Sequence, residues 1–428
     1  MDKTFDLRKI DLMLLVLALI LLALGFMGSR LMKKAPGTLK NDAAEDTALV
    51  FTQWWEDELE EGALLALVEE FEALHPGIKV QLDTRPYGEI RSGLGSSEAS
   101  SLAPDIVGLD PFWVEDLVRR DLLEDLGPWE SDLPVDPPEG FEWGYGQWGR
   151  HLISFTNPLY YNIALLRDAG FDRPPKSPAE MLAYARSLTD PDTGRRALTM
   201  AIGPEAPLGV YRDVFSWIRG FSPLTFRESR PDFSVPSIAR ALAFLRDLQQ
   251  EGCIMPGIFT KTEAEKREDF IQGRAAMMIA SVADIDLLRR RMGEDAFGIT
   301  LVPGESSFEG KPVLGLTSWR LGIPRNAPHK DEARVFLSFL LERGPLIAEK
   351  AHAVPGSLGK TMDFNAAYPL YSKAYDMYTA GETVQEFSGL RGVDQFESLV
   401  REQLYALFEG GQTPEETAGH IQRQWEKL

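Results

Sequence analysis

The chain has 428 residues, 44% of them hydrophobic and 26% charged, with a formal net charge of −20. That length can bury a large core and favours two domains. The acidic balance argues against nucleic acid as a partner, because neutralising phosphates takes clustered Lys and Arg, and the densest basic run, Arg289-Arg290-Arg291, reads as a solvated helix face.

The first element is an apolar run. Leu12 to Met27 is entirely apolar or glycine, with Lys3, Arg8 and Lys9 before it and Arg30, Lys33 and Lys34 after it. A spanning helix wants about 20 apolar residues, so the run also fits a signal-peptide core. Residues 1–29 are therefore a signal peptide or an uncleaved signal anchor, the anchor being favoured because no clean small-x-small cleavage site follows. Residues 30–47 are small, charged and polar and read as a tether. The single cysteine, Cys253, lies mid-chain, so it excludes an internal disulfide, a cysteine-built zinc cluster and an N-terminal lipid anchor. Five scattered histidines offer no i, i+4 pair, and no metal is expected.

From residue 48 the pattern is α/β. A short apolar strand, Ala48 to Phe51, ends in Trp54-Trp55 and a cluster of acids. Open α/β sheets bind ligands at the carboxyl ends of their strands. Flat aromatic faces beside carboxylates suit polyhydroxylated ligands, the ring covering a C–H face and the acid accepting O–H groups. Leu64, Leu65, Leu67, Val68, Phe71 and Leu74 follow a helical period, and His75-Pro76-Gly77 stops that helix. Ile78, Val80 and Leu82 alternate as a strand, completing a βαβ unit. A third strand spans Asp105 to Asp110 and a helix runs from Phe112 to Arg120. Gly127 to Gly149 is a loop rich in Pro, Gly and rings, including Trp129, Phe141, Trp143, Tyr145 and Trp148. Strands at Leu152–Phe155 and Leu159–Tyr161 precede helices near 164–169, 178–188, 236–251, 264–272 and 330–342, with strands at Ala275–Ala280 and Phe297–Val302 among them. Leu399 to Phe408 is amphipathic. Thr413-Pro414-Glu415-Glu416 opens the last helix with a capping box.

This series resembles the sugar-binding group of bacterial ABC-importer solute-binding proteins, which includes maltose-binding protein. The resemblance covers roughly residues 48–428. It rests on Trp54-Trp55, Leu67-Val68-Glu69-Glu70-Phe71-Glu72, His75-Pro76-Gly77-Ile78-Lys79-Val80 and Pro104-Asp105-Ile106-Val107, followed by Leu122-Leu123-Glu124-Asp125-Leu126. Leu159-Tyr160-Tyr161-Asn162, Ala169-Gly170-Phe171, Pro174 to Met181, Phe270 to Met277, and Gly411 to Glu416 with Trp425 continue it. It implies a two-lobed periplasmic-binding-protein-like fold (type II), with lobe one at 48–152 plus 283–316 and lobe two at 153–282 plus 317–428. Crossings between the lobes are expected near 152–160, 275–282 and 313–323. The function it implies is extracytoplasmic capture of a mono- or oligosaccharide by hinge closure, then delivery to ABC permease subunits, by a monomer held in the cell envelope through its N-terminal helix. No catalytic group or cofactor is implied. Carried over by position, the ligand contacts are Trp55, Glu56 and Asp57 after the first strand, Asp110 and Trp113 after the third, and Tyr161, Trp217 and Ser281. Trp319 would replace a ring that relatives carry after the position of Ser281, where this chain has Ala283 and Asp284.

Two motifs are decoys. Gly356 to Thr361 looks like the end of a phosphate-binding loop, but Val354 stands where its first glycine belongs. Ser357-Leu358-Gly359-Lys360 fits the S-x-x-K of serine β-lactamases, whose other elements are missing. Competing classes are a carbohydrate-active hydrolase using Glu56, Asp57 or Asp110 as an acid pair, and a ferric-ion binder using Tyr160 and Tyr161. Neighbouring strand residues point to opposite faces, which weighs against the second.

Overall fold

The first strand, β1 (Thr47–Gln53), is buried from Leu49 onward on both of its faces, as a parallel strand covered on each side should be. The computed structural model describes residues 46–427 except 56–57, 96–103, 133–146, 223–225, 228–229, 306–311, 356–368 and 385–386. The expected anchor, nearly all of the tether, Glu56, Asp57, Phe141, Trp143, Tyr145 and the decoy loop from Gly356 lie outside the described residues. Among the described residues no helix is long and apolar enough to cross a membrane.

The chain continues through α1 (Ala63–Leu74), β2 (Ile78–Thr84), α2 (Tyr87–Gly95), β3 (Ile106–Leu109), α3 (Pro111–Arg119), β4 (Arg150–Thr156), β5 (Leu159–Asn162), α4 (Ile163–Asp168), α5 (Pro178–Leu188) and β6 (Arg196–Thr199). After a single π-helical turn at Val210–Val214 come α6 (Phe215–Phe221), α7 (Pro236–Gln250), α8 (Glu263–Ile271), β7 (Ala275–Ile279), α9 (Asp284–Met292) and β8 (Phe297–Thr300). The last part comprises β9 (Val313–Gly322), α10 (Lys330–Glu342), α11 (Gly344–Lys350), β10 (Val354–Pro355), α12 (Pro369–Ala380), β11 (Glu382–Val384), α13 (Val393–Phe408) and α14 (Pro414–Trp425).

Two sheets organise these elements. A seven-stranded sheet has the order β10-β4-β9-β3-β1-β2, with β11 beside β9, and a four-stranded sheet has the order β8-β5-β7-β6. The expected βαβ unit is present: β1 and β2 pair in parallel from Thr47 opposite Ile78 to Gln53 opposite Thr84. Leu64, Leu67, Val68 and Phe71 of α1 are buried.

The pairing moves several expected boundaries. Phe297–Thr300, assigned from sequence to lobe one, is hydrogen-bonded to Leu159–Asn162 in the smaller sheet. All of β9 lies in the larger sheet, antiparallel to β3 and β4, although the expected boundary at 316 cuts through it. Helix α10, assigned to lobe two, belongs with the larger sheet, because Phe336 packs edge-on against Phe51 and both Phe336 and Phe339 lie against Phe71. The crossing expected at 275–282 is an interior strand of the smaller sheet. The chain passes between the two sheets at Asn157-Pro158 and again between β8 and β9.

Candidate functional site

The carboxyl ends of three parallel strands open into one space. Trp54 follows β1, Pro86 and Tyr87 follow β2, and Asp110 follows β3. All four line a cavity of about 430 Å³, where an open α/β sheet is expected to bind. Phe155 of β4 and Thr317, Ser318 and Trp319 of β9 close one side, while Glu205, Pro207, Leu208, Arg212, Thr262, Glu263, Ala264, Arg267 and Ser281 come from the half built on the smaller sheet. Just past these residues the β9–β4 register shifts, one step of β9 from Trp319 to Arg320 spanning two of β4 from Ile153 to His151, a bulge that falls beside the cavity.

One wall is aromatic. Trp54 packs against Tyr87 at 5.2 Å and Trp113 at 5.4 Å between centroids. Trp55 stacks on Trp319 at 4.4 Å with 7° between planes, and Phe155 meets the other edge of Trp319 at 5.0 Å. The stack depends on Gly108: a Cβ there would come within 2.9 Å of the Trp55 ring.

The opposite end is ionic. Arg212, 8% exposed, pairs with Glu263 at 3.2 Å and donates through Nε to Asn157 at 3.0 Å. Lys266, fully buried, contacts Glu263 at 2.8 Å and Asp213 at 3.1 Å. Arg267 pairs with Asp284 at 2.9 Å. Burial alone would raise the Glu263 carboxyl, but Lys266 and Arg212 outweigh it and hold the group below the usual range. Glu58 has no such ion pair among the described residues. Burial, then the like charge of Asp284, pushes it up to about 7 against Arg212, Arg267 and the Trp319 indole N–H that donates to it. Asp110 is pushed up by burial to about 6, although the Phe112 N–H and the Tyr87 hydroxyl both donate to its carboxylate.

Of the residues expected to touch ligand, Asp110, Ser281 and Trp319 line this cavity. The structure turns three indoles inward instead: Trp55 is 1% exposed against Trp319 and Gly108, Trp113 is 1% exposed beneath Trp54 and Tyr87, and Trp217 is fully buried against Phe244. Tyr161 is half-buried on the smaller sheet with its ring over Gly298, away from the cavity lining. The two adjacent phenols do not converge on an ion, since the Tyr160 hydroxyl is buried and donates to the Ser281 carbonyl at 2.7 Å. Among the described residues one trio could offer metal ligands, Glu60, Asp286 and His352. It lies outside the cavity lining, and Lys350 and Arg289 already supply cations to its carboxylates.

With strands, cleft and crossings in place, the family can be assigned. A model of the bacterial extracellular solute-binding proteins matches residues 56–345. The chain belongs to this family. Relatives described as binding proteins in Brucella abortus and Brucella suis are 22% identical over 284 residues, covering 64% of this chain and 67% of theirs. The structure is similar to an ABC substrate-binding protein from Listeria monocytogenes in complex with cycloalternan (TM-score 0.72, 18% identity, 89% of this chain and 98% of that one). It is also similar to maltose-bound T. maritima MalE3 (TM-score 0.71, 18% identity, 89% and 100%) and to a solute-binding protein from Thermotoga lettingae bound with alpha-D-tagatose (TM-score 0.72, 21% identity, 88% and 99%). The two-lobed fold of solute-binding proteins is therefore shared over nearly the whole described chain.

Sequence reasoning singled out the Trp54-Trp55 pair but carried only Trp55 forward as a contact, and it missed several other lining residues of this solute-binding protein: Glu58, Tyr87, Phe155, Glu205, Arg212, Glu263 and Arg267. A signal existed for two buried charges, since Arg212-Asp213 sits inside the apolar run Val210, Tyr211, Val214, Phe215, a place where charge is costly unless partnered. The others are brought in by tertiary packing.

Proposed function

We propose that this solute-binding protein captures a carbohydrate, a mono- or oligosaccharide, between its two lobes and hands it without turnover to the permease of an ABC importer. The observation that carries the reading is one cleft joining an aromatic wall, Trp54, Tyr87, Phe155 and Trp319, to a set of hydrogen-bonding acids and guanidiniums. The wall covers the apolar face of a sugar ring while the polar end takes its hydroxyls. The sugars held by the structural relatives, cycloalternan, maltose and tagatose, point the same way. Trp54, Glu58, Tyr87, Asp110, Ser281, Ser318 and Trp319 are the proposed ligand contacts, with closure of the larger-sheet lobe on the smaller-sheet lobe completing the site. The apolar run Leu12 to Met27 would hold the monomeric protein at the outer face of the membrane, raising its effective concentration at the permease. Differential scanning fluorimetry against a saccharide panel tests the proposal. A ligand binding only the folded state raises the melting temperature by linkage, and tryptophan emission titrates with it. Absence of any shift across the panel, or release of reducing ends from a bound glycan, would overturn it.

A further inference from the structure

The charges at the polar end of the cleft are already matched. Arg212 is engaged by Glu263 and Asn157, Arg267 by Asp284, and Lys266 by Asp213 and Glu263. Glu205 is exposed to solvent. Glu58 stands apart. It lines the cavity from the lobe of β1, takes the Trp319 indole N–H, and has no ion pair among the described residues. The groups facing it are Trp319 on β9, Arg212 on the π-helical turn, Arg267 on α8 and Asp284 on α9. Those two guanidiniums are paired with Glu263 and Asp284, and their pull on Glu58 does not offset its burial and the like charge of Asp284.

We infer that Glu58 is the specificity-determining carboxyl of the cleft, and that its ionised form is the one that binds a neutral polyol, so that capture expels one proton to solvent. This rests on the carbohydrate reading above. A carboxylate accepts at both oxygens, whereas a carboxylic acid spends one of them on its own O–H, and hydrogen bonds to the charged form are stronger. Two adjacent sugar hydroxyls donating to Glu58 supply the stabilisation that the protein withholds. Burial and Asp284 otherwise keep the group protonated to about pH 7, so binding weakens as the pH falls below that value. An anionic ligand, by contrast, would meet matched guanidiniums and an uncompensated acid.

The test titrates the full-length protein with maltose, maltotriose and tagatose by calorimetry at pH 6 and pH 8, in buffers of different ionisation enthalpy. Linkage gives affinity about tenfold weaker at pH 6 than at pH 8, with an enthalpy that depends on the buffer at pH 6, where capture releases a proton, and hardly at all at pH 8, where Glu58 is already ionised. Glu58→Gln abolishes both effects and Glu58→Asp retains them. Equal affinity at the two pH values with a buffer-independent enthalpy overturns the inference and leaves the carbohydrate reading standing. So does a pH dependence that survives in Glu58→Gln, which transfers the proton to another group such as Asp110. Failure of all three sugars to bind at either pH counts against the carbohydrate reading itself and takes this inference with it.

Discussion

Trp54 and Trp55 are neighbours with opposite fates. A strand end sends consecutive side chains to opposite faces, and Gly108 leaves room for an indole on one face only, so Trp55 goes inward and Trp54 lines the cleft. Sequence shows the pair and cannot rank its members, because the deciding residue sits on another strand. The substitutions should separate accordingly. Trp54→Ala weakens sugar binding roughly tenfold with a modest loss of stability, measured by fluorescence titration. Trp55→Ala costs about 3–5 kcal/mol of folding free energy, measured by chemical denaturation. Glu397 of α13 offers a second contrast. It is 7% exposed, and one carboxylate oxygen finds no hydrogen-bond partner among the described residues. Burial raises it to about 8, opposed by Arg401 and Arg91 and reinforced by Asp394 and Asp110. Between its unfolded value and about 8 the native state holds a proton that the unfolded state has released. Its contribution is thus full at low pH and is lost as the pH rises toward 8. Glu397→Gln should therefore flatten the fall in stability between pH 6 and pH 8, by up to about 1.4 kcal/mol per pH unit, in denaturation curves taken at both values.

At the scale of elements, local signals located much of the chain and pairing decided the rest. The capping box at Thr413 forms as expected, with Glu416 bonding back to the Thr413 N–H at 2.8 Å. The β1–α1–β2 unit was legible because its periods of 3.6 and 2 are intact. Helix α2 was not: Tyr87–Gly95 holds three glycines in nine residues, and it forms because Tyr87 is anchored by Trp54 and Trp113. Strand β8 was visible as a strand but was placed in the wrong lobe, since its partner β5 precedes it by more than a hundred residues and hydrophobicity does not name a partner. Helix α8 illustrates what periodicity conceals. Its Lys266 looks solvent-facing by composition yet is fully buried on Asp213. Lys266→Met should cost about 3–5 kcal/mol by stranding that carboxylate, while adding Asp213→Leu should recover most of it. Melting temperatures of the single and double variants check this.

For the whole molecule, contacts between the lobes set how readily the cleft shuts. Arg91 of α2 is salt-bridged to Asp394 of α13, and His352, after α11, contacts Asp286 of α9 at 2.7 Å. The first pair is partly exposed, so its worth is about 1 kcal/mol or less. Arg91→Ala should shift the resting population toward the open form and weaken ligand binding up to about fivefold, with an unchanged melting temperature. Solution scattering with and without sugar would show a larger change in radius of gyration for that variant than for the parent chain.

Asn157, in the first passage between the sheets, donates to the carbonyl of Gly315 at 3.1 Å, where the second passage re-enters the larger sheet. Tyr211 adds a bond to the next carbonyl, Leu316, at 2.9 Å. Two connections stapled side by side behave like paired pins on a door: swivel and slide are blocked, and one axis of swing is left. Opening is thereby reduced to a single angle, and every spacing measured across the mouth should change in step with every other.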